Sequence, residues 1–150
     1  MSFMVPDVGE VKLLKDLLAA GGVAGVVTLE AWTLKLFKSN TIPAETHTAA
    51  SYTIADFTNY TNKTLIRDTQ VGHWSDPVSQ VPTGDWVSES KAAESTYAEQ
   101  TWTSGSDQTI YGYILVGATS GTLIEVIRFD SPIVLTNGSV LSVTPRIGVV

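Results

Sequence analysis

From residue 96 to residue 149, apolar and polar side chains alternate in short runs broken by glycine, asparagine and proline. This pattern constrains the fold most, because successive side chains of a strand point to opposite faces. Over 96–103, Tyr97, Glu99 and Thr101 oppose Ala98, Gln100 and Trp102. Over 109–118, Tyr111, Tyr113 and Leu115 oppose Ile110, Gly112, Ile114 and Val116. Thr119-Ser120-Gly121 makes a tight connection, and 123–129 returns with Leu123, Glu125, Ile127 and Phe129 opposite Ile124, Val126 and Arg128. Residues 132–135 give a short further strand. Asn137-Gly138 is the strongest short-range hairpin signal, and 139–149 closes with Leu141, Val143, Ile147 and Val149 in phase. Short strands separated by turn residues, with no βαβ alternation and no fixed repeat, predict a mainly β fold: a jelly-roll-like antiparallel β-sandwich.

The first 25 residues read differently. Asp7 can cap a helix, with Glu10 three residues on. Val11, Leu14, Leu17 and Leu18 then fall on one face, Lys12, Lys15 and Asp16 on the other, and Gly21-Gly22 stops it. We therefore expect an N-terminal arm and short amphipathic α-helix over 1–25, and one β-sandwich domain over 26–150. The helix covers one end of the sheet in the simpler reading and packs into a neighbouring subunit in the other. Trp32, Leu34 and Leu36 alternate with Thr33, Lys35 and Phe37 in a first strand, ended by Ser39-Asn40-Thr41-Ile42-Pro43. Thr53 with Asp56 can cap a single helical turn near Phe57, and Thr64, Leu65, Ile66 and Arg67 form a short strand. Residues 68–94, with Gly72, Pro77, Pro82 and Gly84, read as a long irregular loop. Loops of that length are usually functional or disordered, and Trp74 and Trp86 weigh against disorder.

Composition removes several classes of function. Charged residues are 16% of the 150, against about a quarter in an ordinary domain, and a low charge suits surfaces that become covered. The net charge is −6, and Lys12, Lys15, Lys35 and Lys38 form no dense stripe, so no nucleic-acid partner is expected. There is no cysteine, which removes disulfides, thiolate metal sites and cysteine nucleophiles. The longest apolar stretch, 17–27, is interrupted by Gly21, Gly22 and Gly25, whereas a membrane span needs about 20 apolar residues. Asp7, Glu10 and Asp16 precede that stretch, where a signal peptide carries positive charge.

A search for chemistry finds no catalytic or cofactor set. His47 and His73 lie in polar loops without another His at ligand spacing, and a set of His47, His73 and Asp76 falls short of a zinc pattern. No Gly-x-Ser-x-Gly elbow occurs, and Gly21-Gly22-Val23-Ala24-Gly25 lacks the Lys-Ser/Thr of a phosphate loop. Glu99 and Glu125 sit mid-strand, the right kind of place for a glycosidase carboxylate, but nothing in the spacing sets a pair apart and a solvated strand face accounts for both. No enzyme, cofactor or metal is expected. Trp74, Trp86, Tyr111 and Tyr113 can form a flat platform for a glycan, although Trp and Tyr serve cores and protein interfaces more often.

Six blocks, in order along the chain, carry a resemblance. They are Leu34-Lys35-Leu36-Phe37-Lys38-Ser39-Asn40-Thr41-Ile42-Pro43, Tyr52-Thr53-Ile54-Ala55-Asp56-Phe57, Ser95-Thr96-Tyr97-Ala98-Glu99-Gln100-Thr101-Trp102, Ile110-Tyr111-Gly112-Tyr113, Arg128-Phe129-Asp130-Ser131-Pro132, and Asn137-Gly138-Ser139-Val140-Leu141-Ser142-Val143-Thr144-Pro145. Together they resemble small structural proteins of tailed-bacteriophage virions, of the capsid cement or decoration type. The Asp- and Ser-rich stretch 72–89 departs from that pattern.

The resemblance implies a β-sandwich that oligomerises on the outer shell of the head, bridges major capsid proteins, and has no catalytic residues. It implies a homo-oligomer, with a trimer favoured, made in the host cytoplasm and located in the virion. The expected shell contacts are Phe3, Met4, Val5, Pro6 and Asp7 in the arm, and His73, Trp74 and Trp86 in the irregular loop. The alternative is a tail or fibre protein with a carbohydrate-binding role.

Overall fold

The computed structural model describes residues 30–44, 46–68, 71–80 and 92–149. The expected N-terminal arm and helix, with Phe3, Met4, Val5, Pro6 and Asp7, lie outside these residues, as does Trp86. Nine strands are described: β1 (Trp32–Phe37), β2 (Lys63–Leu65), β3 (Val78–Gln80), β4 (Ala92–Thr96), β5 (Gln100–Thr103), β6 (Gln108–Gly117), β7 (Leu123–Leu135), β8 (Val140–Val143) and β9 (Arg146–Val149). Every pairing is antiparallel. The strands form a four-stranded sheet ordered β2-β1-β6-β7, a three-stranded sheet β3-β4-β9 and a two-stranded ribbon β5-β8. The described chain is thus mainly β.

These strands fall into two compact units. One, built from Glu30–Leu65 and Glu99–Val143, holds the four-stranded sheet and the ribbon; the other includes Ile66–Ala98 and Thr144–Val150 and holds the three-stranded sheet.

In the first unit the alternation of β1 becomes burial. Trp32, Leu34 and Leu36 are at most 1% exposed. Directly paired residues share a face, so the register Trp32↔Leu65, Leu34↔Leu115 and Leu36↔Tyr113 makes one continuous apolar face across three strands. The opposite face carries a cluster of Phe37, Tyr52, Ile114 and Val116, joined by Ala49, Ile54, Leu123 and Val126. Central strand β6 is therefore buried on both sides from Gly112 to Gly117. The ribbon is one-sided: Trp102, Leu141 and Val143 are buried, while Thr101, Thr103, Val140 and Ser142 are exposed.

Several expected boundaries move. Among the described residues a 3-10 turn forms at Ala49–Ser51 rather than near Phe57. Asp56 does not cap a turn, because its carboxylate accepts from Lys38 Nζ at 2.6 Å and Gln108 Nε2 at 2.5 Å. The run 96–103 divides into β4 and β5, which belong to different sheets. Between them Tyr97 N–H donates to the Pro145 carbonyl at 2.7 Å. The run 139–149 divides at Thr144-Pro145 in the same way, since proline has no N–H to continue a ladder. Residues 123–129 and 132–135 join instead, as the single strand β7. Ile110 pairs with Ile133 and Gly112 with Arg128, so Tyr111 alone faces the four residues 129–132. That bulge accommodates Pro132 on an edge strand.

Asn137-Gly138 makes a turn but no hairpin. Strand β7 pairs with β6, and β8 pairs with β5. Gly138 has φ +87°, and Asn137 is not in the left-handed region. A hairpin turn of type I′ needs positive φ at both positions, whereas positive φ at the second alone is the type II pattern, which splays the flanking strands.

Candidate functional site

The chain leaving β2 makes a braced turn in the second unit. Trp74 N–H donates to the Asp68 carbonyl at 3.1 Å, which closes the loop. Gly72 takes φ +87°, leaving Val71 fully exposed beside it. His73 Nδ1 makes a short contact with Asp68 Oδ1, both side chains being largely covered. The His73 ring stacks on Tyr97 at 5.8 Å and 12°, and Trp74 meets the same ring edge-on at 5.2 Å. Tyr97 Oη accepts from Ile66 N–H at 3.3 Å.

The turn is also tied along β4. Ser75 N–H donates to the Thr96 carbonyl at 2.7 Å, and Ser95 Oγ donates to the Ser75 carbonyl at 2.7 Å. Ala98 N–H donates to the His73 carbonyl at 3.2 Å. Rings and backbone bonds hold His73, Trp74 and Ser75, and the apolar side chain of Val71 is exposed just before them. Ile66 and Val78, 46% and 48% exposed, add apolar surface in this unit. Such an arrangement suits a rigid contact with another macromolecule, because little conformational freedom is lost on binding.

The expected contact residues separate here. His73 is partly covered and engaged with Asp68 and Tyr97. Trp74 is 1% exposed, so it braces the turn from the core and presents no surface. A shell contact at Trp74 would need exposed surface, whereas the backbone bridge Trp74↔Tyr97 accompanies a ring turned to the buried side. Val71 is the exposed apolar residue of this segment, and the alternation pattern gave no sign of it. The glycan platform is not assembled from the described rings. Trp74 and Tyr113 are buried, and Tyr111 is half-buried with the Arg128 guanidinium 5.5 Å over its face.

In the first unit Arg128 fixes a second apolar projection. Its Nη1 donates to the Thr41 carbonyl at 3.0 Å and its Nη2 to Asn40 Oδ1 at 2.6 Å. Ile42, the next residue, is 75% exposed. His47 is no free loop histidine either: its Nδ1 lies 3.0 Å from Tyr52 Oη. Glu99 is exposed between β4 and β5, and Glu125 is half-buried on β7. Burial raises the carboxyl of Glu94 on β4 above its ordinary value. Among the described residues no three His, Cys, Asp or Glu side chains gather as metal ligands, and no helix is long and apolar enough to cross a membrane.

No protein-family model, curated protein or solved structure matches the chain.

Proposed function

We propose that this chain is a structural protein of a tailed-bacteriophage virion. It would act as a cement or decoration protein on the outer face of the head, folded as a jelly-roll-like β-sandwich and assembled as a homo-oligomer, with a trimer favoured. Each subunit bridges adjacent major capsid proteins. A symmetric oligomer holds several at once, and each weak contact raises the effective concentration for the next. The ordered blocks of sequence motivate this reading.

The observation that carries it is the braced segment 71–74, bonded back to Asp68, with the Val71 side chain fully exposed. An exposed apolar side chain beside a braced segment suits insertion between shell subunits. His73 and Trp74 then serve the contact from behind, and Phe3, Met4, Val5, Pro6, Asp7 and Trp86 remain proposed contacts.

Co-sedimentation of the purified chain with capsid shells that lack it tests the proposal. Val71→Asp should weaken attachment by the amount of a central interface residue, about 2 kcal/mol or more, while its circular dichroism stays that of the wild type. Deleting residues 1–7 should also weaken attachment without unfolding the protein. Failure of the wild type to bind shells would reject the function, and full binding by Val71→Asp would reject the turn as the contact.

A further inference from the structure

Of the four asparagines, only Asn137 precedes a glycine. In an unstructured chain that dipeptide is the one most prone to lose ammonia, because glycine leaves its own nitrogen open to approach. The fold holds this nitrogen. Gly138 N–H donates to the carbonyl of buried Ser104 at 2.7 Å, and Ser104 N–H donates to the Ser139 carbonyl at 2.8 Å. Ser139 N–H closes the turn on the Thr136 carbonyl at 2.9 Å, and Thr136 N–H donates to Ser139 Oγ at 3.0 Å. Asn137 N–H donates to Asp107 Oδ1 at 3.2 Å. The Asn137 side chain itself is exposed to water.

We propose that Asn137 is a fold-gated deamidation site, protected while the 136–139 turn is clasped to Ser104 and reactive when the clasp opens. In the open state the Gly138 nitrogen, having lost its proton to solvent, attacks Asn137 Cγ. A carbon–nitrogen bond forms, the side-chain amide bond breaks, and the leaving nitrogen departs as ammonia with a proton from water. Water then opens the cyclic imide at either carbonyl, giving aspartate or isoaspartate. Both products add a carboxylate to the residue whose N–H Asp107 accepts, and like charges repel. Isoaspartate also adds a methylene to the main chain, which displaces Ser139 N–H from the Thr136 carbonyl. Each opening that reacts is thereby made permanent, at the point where the chain passes from β7 in one sheet to β8 in another.

The test incubates the full chain in mildly alkaline buffer, folded and in denaturant, and follows the one-dalton mass gain and isoaspartate by peptide mapping. In denaturant, conversion should concentrate at Asn137. In the folded chain it should be at least about tenfold slower, the factor expected when opening breaks a pair of backbone hydrogen bonds of ordinary net strength. Ser139→Ala, which removes the Thr136 N–H acceptor, should convert faster than the folded wild type. Equal rates folded and denatured would overturn the proposal. So would earlier conversion at Asn40, Asn59 or Asn62 in denaturant, or a Ser139→Ala variant, folded by circular dichroism, that converts no faster than the wild type.

Discussion

The ring of Phe37 lies directly over Gly112: a Cβ built on that glycine would stand 2.7 Å from Phe37 Cζ and closer still to the Ile127 carbonyl oxygen. Phe37 and Gly112 are register partners on β1 and β6, and Phe37 heads the cluster with Tyr52, Ile114 and Val116. The ring uses the space that a side chain at 112 would need. One obstructing atom belongs to the backbone, so a rotamer change cannot relieve the clash. Gly112→Ala should destabilise the protein by about 1–3 kcal/mol, the usual cost of overpacking. Urea unfolding checks it, and a midpoint equal to the wild type would show that β6 and β7 part without cost.

Tyr60 should be a late-titrating phenol. Its hydroxyl accepts from Leu36 N–H at 2.9 Å and donates to Asn62 Oδ1 at 3.0 Å. Burial pushes it up to about 12, although the Leu36 bond works in the opposite direction. The folded value lies above the ordinary one of about 10. The associated stability is therefore complete below about pH 10 and is lost as pH rises toward about 12. Absorbance titration should show a tyrosinate step that appears only with alkaline unfolding, and Tyr60→Phe should abolish that step at a cost of about 1 kcal/mol in neutral solution.

The ordinary loop value of a carboxylate should not apply to Asp56. Hydrogen bonds from Lys38 and then Gln108 hold it below the usual range. A depressed value means the stabilisation is present above the unfolded pKa of about 4 and is lost as pH falls through the folded one. Asp56→Asn should lower the thermal midpoint at neutral pH, and the difference should close in acid. A difference independent of pH would mean that the ion pair contributes nothing.

Arg128 should resist its closest replacement. Its guanidinium serves the Thr41 carbonyl and Asn40 Oδ1 together while lying over Tyr111. An ammonium offers no such planar fork. Arg128→Lys should cost about 0.5–1.5 kcal/mol, one ordinary hydrogen bond, and speed amide exchange over residues 39–42. Unchanged exchange there would show that the loop holds itself.

What the sequence reveals depends on which contacts set the outcome. Strands β1 and β6 were legible because Trp32, Leu34 and Leu36, and the paired apolar faces of 110–116, keep their period through long runs. The divisions at Tyr97 and at Thr144-Pro145 were not, because a two-residue period is blind to which sheet a strand joins. At Asn137-Gly138 the dipeptide allows two turns, and the carbonyl of Ser104, far earlier in the chain, engages Gly138 N–H in the splaying one. Trp74 is an expected shell contact from its place in the irregular loop, but it is bridged to Tyr97 and buried, while Val71 is exposed. The candidate surface thus depends on pairings made across the fold, which local composition does not encode.

The proposed role rests on where the chain sits in a particle. Gold labelling of intact phage virions with antibody raised against this chain tests it most directly. The account predicts label distributed over the head. Label confined to the tail or its tip, or no label on particles whose epitope is shown to be accessible, would contradict it.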